Sequence, residues 1–255
     1  MGYRVFRVLG ARRSGHHAII TWLIRQSPGK VIFLNNLEAI GSGCPYRIEG
    51  EEAVEADESY LHSQGSPEVF QKEQRLRTVI YNFEDYGIAE LLNLKARMPT
   101  PDDKPTQNIL VLRDPLNLLA SRVKKYRRTG ALGMIGQPFI EHYLEWCRAA
   151  AAERLPLKNA IVVNFNLWVT SKTYRADLAA QLGLDFTDEG LNEVSCRGSS
   201  FDGFQYSGRA QEMKVLERYE QMMADKIFLN IVCTYEKEIR VVMETLFSAF
   251  PAKST

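Results

Sequence analysis

The sequence predicts an α/β fold: three layers, α/β/α, around a central, mostly parallel sheet of about five strands. Three observations lead there. Short apolar runs alternate along the chain with segments whose apolar residues recur at helical spacing. Several runs are apolar at consecutive positions, as strands covered on both faces are. The first run is joined to the first helix by a glycine-bounded loop, which opens a β–loop–α–β unit. The 255 residues fit one such domain, 1–255, with an insertion.

Residues 3–9 form the first strand and Gly10 breaks it. Residues 17–26 carry Ala18, Ile19, Trp22 and Leu23 on one helical face, and Ser27-Pro28-Gly29 ends that helix. Val31-Ile32-Phe33-Leu34 is the second strand. Residues 40–75 hold four glycines, two prolines and the acids Glu49, Glu51, Glu52, Glu55, Asp57 and Glu58. They read as an acidic insertion, either a solvated loop or a lid over a substrate. Residues 78–83 are the third strand and 88–97 a helix. Asn108-Ile109-Leu110-Val111-Leu112 is the clearest strand, running into Arg113-Asp114-Pro115 and a helix over 116–128. A helix over 138–154, a strand over 160–165 and a helix over 173–182 follow. Helices are expected over 213–223 and 235–247. Trp22, Trp146 and Trp168 are read as core, and His62 and His142 as structural or surface groups.

Lys plus Arg number 32 and Asp plus Glu 31, a net charge of +1. That balance excludes a protein that coats nucleic acid but leaves room for a local anion site. No apolar run approaches the ~18 residues of a membrane span, and the first residues lack the pattern of a secretory leader. Cys44, Cys147, Cys196 and Cys233 form no CxxC pair, so neither a structural zinc site nor a disulfide framework is expected. A reduced, cytoplasmic protein is the expectation.

Two motifs carry chemistry. After the first strand comes Gly10-Ala11-Arg12-Arg13-Ser14-Gly15-His16-His17. Two glycines five apart between strand and helix let backbone N–H groups converge on an anion, with the helix N-terminus behind them. A nucleoside-triphosphate loop would continue Lys-Ser/Thr, and here His16-His17 stand instead. The lysine for the β/γ-phosphates and the hydroxyl for Mg²⁺ are both missing, while Arg12 and Arg13 offer charge without a metal. The competing reading is a tight turn with solvated arginines. The second motif is Arg113 at a strand end with Ser121 eight residues on, in the following helix. Strand C-termini line the ligand crevice of an open parallel sheet, so the two can meet on one phosphate. The competing reading is a local Arg113–Asp114 pair opening a helix that has Pro115 at its first position.

Together these motifs resemble the sulfotransferases that use 3′-phosphoadenosine 5′-phosphosulfate (PAPS). The 5′-phosphosulfate loop of that family is matched by Arg13-Ser14-Gly15-His16-His17, with Arg12 beside it. Its 3′-phosphate motif is matched by Arg113 and Ser121. The strand and turn Ile161-Val162-Val163-Asn164-Phe165-Asn166-Leu167, the Leu182-Gly183-Leu184 helix end and Ser199-Ser200-Phe201 look similar too, with Asn166 where the family carries an acid. Ser207-Gly208-Arg209 is a thin match to the family's later 3′-phosphate segment and brings in Arg209. The resemblance covers roughly residues 4–34, 78–128 and 158–210.

It implies a P-loop NTPase-like version of the fold. It also implies in-line transfer of a sulfuryl group to a hydroxyl or amine of an unidentified acceptor, with release of 3′,5′-ADP and no metal. Arg13 would stabilise charge on the bridging oxygen. The proton acceptor is sought among Glu84, at the third strand's end, Glu38, after the second strand, and His17, whose imidazole titrates near neutrality. A phosphotransferase with a degenerate loop and a non-catalytic 3′,5′-ADP-binding protein are the alternatives. The acceptor and the oligomeric state are not legible in the sequence.

Overall fold

A computed structural model describes residues 4–34, 76–94, 106–193, 201–202, 205–206 and 208–247. Glu38, the 40–75 insertion, Cys44, Cys196, Ser199, Ser200 and Ser207 lie outside the described residues.

The chain runs β1 (Arg4–Gly10), α1 (His16–Gln26), β2 (Lys30–Leu34), β3 (Leu76–Glu84), α2 (Ile88–Leu94), β4 (Thr106–Leu112) and α3 (Pro115–Thr129). It continues with α4 (Gln137–Ala151), β5 (Ala160–Asn164), α5 (Phe165–Thr170), α6 (Lys172–Gln181), α7 (Lys226–Thr234) and α8 (Glu236–Leu246). The five strands form one sheet in the order β2-β3-β1-β4-β5, and every neighbouring pair is parallel. This is the α/β architecture the alternating pattern predicts.

Strand alternation sends side chains into two separate cores. Val5, Leu9, Val79, Tyr81, Leu110 and Leu112 pack against α3, α4, α7 and α8. Phe6, Val8, Ile80, Ile109, Val111 and Val163 pack against α1, α5 and α6. The three tryptophans are all buried. Both faces of the sheet are therefore covered, which is why its strands read as continuous apolar runs.

The connections position the site. From β1 the chain crosses on α1's face to β2, at one edge. From β4 it crosses on the opposite face, through α3 and α4, to β5 at the other edge. The β1 and β4 C-termini are thus a topological switch point, where open α/β sheets bind ligands. Register closes the arrangement: Gly10 lies beside Glu84 of β3 and Val111 of β4.

Three local expectations change. Phe165 opens α5 instead of ending β5, because the Asn164 side chain accepts from the amides of Asn166 and Leu167 and caps a helix there. Residues 213–223 are turns with one short 3₁₀ segment, Glu220–Met222, not a helix. Their backbone is engaged by distant side chains: Arg113 bonds the Val215 carbonyl, and Asn117 bonds the Leu216 carbonyl and the Tyr219 amide. The helix α7, absent from the sequence reading, begins at Asp225, whose carboxylate caps the amides of Ile227 and Phe228.

Candidate functional site

The loop after β1 is a tight turn in which the Ser14 amide donates to the Ala11 carbonyl at 2.9 Å. Arg13 has φ 77° and Gly15 φ 92°. The left-handed conformation costs a non-glycine residue free energy and persists where surroundings enforce it. Here they do. Arg113 Nη1 donates to the Arg13 carbonyl and Arg122 Nη1 to the Arg12 carbonyl, both at 3.0 Å, and the Arg12 amide donates to Asp85 Oδ1 at 2.8 Å. Gly15 is demanded twice over, because a Cβ there would fall 2.1 Å from the Phe165 ring. Alternating left- and right-handed residues curl backbone amides into a concave anion site. The N-terminus of α1 follows with no capping side chain and no acid in its first turn. The amides of His16 and His17 donate to no backbone carbonyl among the described residues, so that end suits an anion.

Around this loop the charge is strongly positive. Arg113 is 1% exposed and hydrogen-bonds two carbonyls, those of Arg13 and Val215; its Nε has no hydrogen-bond partner among the described residues. Its guanidinium lies over the Phe165 ring at 5.3 Å. Burial, and then Arg218 nearby, drives Arg113 down to about 9. Arg13 is likewise pushed down, by burial first and then by Arg128, Arg218 and Arg122 against the pull of Glu84. The Arg13 side chain makes no hydrogen bond among the described residues. Arg122 and Arg218 have carboxylate partners, Asp85 and Asp202; Arg113 and Arg13 have none in hydrogen-bonding contact among the described residues.

Ser121 is buried and its Oγ accepts from Arg218 Nη1 at 3.0 Å. Arg218 in turn pairs with Asp202 and lies over Phe201, with its guanidinium carbon 4.9 Å from the ring centre. Arg209 stays at the surface, paired with Glu212 at 3.1 Å and bonded to the Gln205 carbonyl. The arginine on Ser121 is therefore Arg218, 97 residues away, and no motif marks it in the sequence.

Glu84 ends β3 beside Gly10. Its Oε2 accepts from Arg12 Nε at 3.1 Å, and its Oε1 lies 2.7 Å from His16 Nε2 and 3.0 Å from His17 Nε2. Burial alone would raise this carboxyl, but hydrogen bonds from both imidazoles hold it far below the usual carboxylate range. Burial lowers His17 from its ordinary value, and His16 adds to that, so the imidazole is neutral at pH 7. His16 is buried, with Nδ1 3.1 Å from Ser14 Oγ. Asp85 is gripped by both terminal nitrogens of Arg122, at 2.7 and 3.2 Å.

A scan of protein-family models returns no match, and no curated protein matches the sequence significantly. Solved structures match its fold. Mouse sulfotransferase SULT7A1, complexed with PAP, superposes over 95% of this chain and 88% of its own, with TM-score 0.55 at 12% identity. The sulfotransferase domain from the curacin biosynthetic pathway covers 92% of this chain and 98% of its own, with TM-score 0.50 at 10% identity. The chain has the sulfotransferase fold. At these identities the likeness speaks for the fold alone. Within the sulfotransferase fold, the β1 and β4 loops bring together residues 12–17, Glu84, Arg113 and Ser121, and add Arg218; Arg209 is turned away. No helix among the described residues is long and apolar enough to cross a membrane.

Proposed function

We propose that this protein transfers a sulfuryl group from PAPS to a hydroxyl or amine acceptor and releases 3′,5′-ADP. One observation carries the reading: Arg13 and Arg113, without carboxylate partners in hydrogen-bonding contact among the described residues, lie at the loop and helix end at the switch point of a sulfotransferase fold. Two anionic groups of one donor suit that arrangement. The Nε of Arg113, without a hydrogen-bond partner among the described residues, is the kind of buried donor that a phosphate oxygen satisfies. Binding of PAP by SULT7A1 supports the same ligand class here.

In this reading the amides of Arg13, Gly15, His16 and His17 and the Arg13 guanidinium take the 5′-phosphosulfate. Arg113, Ser121 and Arg218 take the 3′-phosphate. The donor supplies the sulfuryl group, and the chain supplies charge, alignment and a proton acceptor. Glu84 is already bound by three donors and is a poor base. It orients His17 instead, by accepting from Nε2 and leaving the Nδ1 lone pair free for the acceptor's proton. Glu38 enters no assignment, because it lies outside the described residues.

The test is thermal shift with 3′,5′-ADP against ATP·Mg²⁺, followed by turnover with PAPS over an acceptor panel. A ligand at 100 times its dissociation constant stabilises by about 2.7 kcal/mol. Stabilisation by 3′,5′-ADP alone, with its release during turnover, is expected. A response to ATP·Mg²⁺ alone overturns the reading in favour of a phosphotransferase. Binding of 3′,5′-ADP with no turnover on any acceptor leaves a non-catalytic binder.

A further inference from the structure

The meeting of β1, β3 and α1 holds three groups that together make a metal-ligand set: His16 Nε2, His17 Nε2 and Glu84 Oε1. All three ligand atoms lie within 4.8 Å of one another, and both imidazole nitrogens approach the same oxygen, at 2.7 and 3.0 Å. Ligands around a tetrahedral zinc ion at ~2.0–2.1 Å stand roughly 3.3 Å apart. Opening the cluster by a few tenths of an ångström therefore admits an ion. Two histidines and one carboxylate with a fourth position open is the donor set of catalytic zinc sites. Nitrogen ligands favour zinc and its neighbours over magnesium or calcium.

The surroundings match as well. The two histidines occupy the first turn of α1, and Glu84 is the last residue of β3, hydrogen-bonded in register with Gly10. These are rigid elements, which hold a ligand set better than loops do. Outer contacts exist for two ligands: Ser14 Oγ on His16 Nδ1 at 3.1 Å and Arg12 Nε on Glu84 Oε2 at 3.1 Å. Such contacts fix tautomer and orientation in metal sites. With the ion on Nε2, His16 carries its proton on Nδ1 and donates it to Ser14 Oγ, so that contact is satisfied in either state. His16 is 2%, Glu84 13% and His17 29% exposed. The site is closed behind and open on the His17 side, where a fourth ligand enters. Arg12 and Arg13 add positive charge, which makes an anionic oxygen or hydroxide the favoured fourth ligand.

We propose that His16, His17 and Glu84 form a binding site for a zinc-class divalent cation. The reaction proposed above uses no metal, and the site stands whether or not that reading holds. Where both hold, they exclude each other in time. The ion takes His17 Nε2, puts the proton on Nδ1 and removes the proton acceptor, so zinc switches the transfer off.

The test is titration of chelator-stripped protein with zinc against a chromophoric zinc chelator, with magnesium as the control cation. Cobalt(II) serves as a spectroscopic probe. One zinc per chain is expected, magnesium does not compete, and cobalt gives the intense visible absorption of a four-coordinate site. His17→Gln and Glu84→Gln each weaken binding by at least tenfold, while circular dichroism and melting show both variants folded. His17→Gln is the safer variant, since its side chain is partly exposed. Absence of stoichiometric binding, or binding that survives both substitutions, overturns the proposal. Binding of 3′,5′-ADP is measured separately in zinc-free buffer, so failure of the metal site and failure of the sulfotransferase reading give different results.

Discussion

Arg122, in the middle of α3, holds both carboxylate oxygens of Asp85, while Asp85 accepts the amide of Arg12 in the anion loop. The same guanidinium donates to the carbonyls of Arg12, Gly133 and Met134 and lies 3.4 Å from the centre of the Phe139 ring. This fully buried arginine is thus a structural member of the cluster, bracing the loop from behind. Removing one partner of a buried pair costs about 3–5 kcal/mol, because the other charge is left uncompensated. Arg122→Met is expected to cost that much in urea unfolding. Arg122→Lys should recover little of it, since an ammonium cannot reproduce the planar fork. A loss below 1 kcal/mol for Arg122→Met would sink the account.

Gly15 and Gly133 give a matched pair. A side chain at Gly15 meets Phe165 at 2.1 Å and a left-handed backbone, whereas one at Gly133 meets nothing within 4 Å. Gly15→Ala is expected to destabilise by roughly 2 kcal/mol or more, from strain and overpacking together. Gly133→Ala should be neutral or mildly stabilising through the unfolded chain. Thermal melts of the two variants decide it, and equal effects would show that the Phe165 contact does not shape the loop.

The contrast between legible and illegible parts has a physical basis. Strands such as Asn108–Leu112 announce themselves because both faces are buried, and the pair Gly10 and Gly15 marks a backbone shape only glycine tolerates. Residues 213–223 mislead because their helical spacing is overridden by Arg113 and Asn117, which capture their backbone groups from about 100 residues away. The N-cap signal of α7 was present at Asp225 but short. Arg218 could not be found at all, since its place on Ser121 is set by tertiary packing, not by a local pattern. The meeting of His16, His17 and Glu84 depends in the same way on the β1–β3 register, which no spacing encodes.

Cys147 and Tyr143 make stability fall at alkaline pH. Both are buried in the α4 core; burial pushes the Cys147 thiol up to about 12 and raises Tyr143 well above its ordinary value. At pH 7 both are protonated, folded or unfolded. Above about pH 8.5 an unfolded cysteine loses its proton while the folded one keeps it. The unfolded state then binds fewer protons, and stability declines as pH rises towards 12. Tyr143 adds to the decline above about pH 10. Urea unfolding between pH 7 and 10.5 should show a shallower decline for Cys147→Ala than for the wild type. Parallel pH profiles would mean that Cys147 does not contribute.

The two halves of the proposed donor site are separable with two nucleotides. 3′,5′-ADP carries both phosphates, and 5′-AMP carries only the one assigned to the β1 loop. A hydrogen bond to a charged group contributes about 1.5–3 kcal/mol, or roughly 10- to 100-fold in affinity. Arg13→Ala is therefore expected to weaken both nucleotides by that factor. Ser121→Ala should weaken 3′,5′-ADP about tenfold and leave 5′-AMP unchanged. Arg218→Gln should act in the same direction, and the double variant should lose less than the sum, because the two side chains are hydrogen-bonded. Arg209→Ala, at an exposed residue paired with Glu212, should change either affinity less than twofold. Isothermal titration of these variants reads all the terms. If Ser121→Ala weakens both nucleotides equally, Ser121 is not a 3′-phosphate ligand. If Arg209→Ala weakens 3′,5′-ADP more than Arg218→Gln does, the 3′-phosphate belongs to Arg209 and the loop around it must close over the nucleotide.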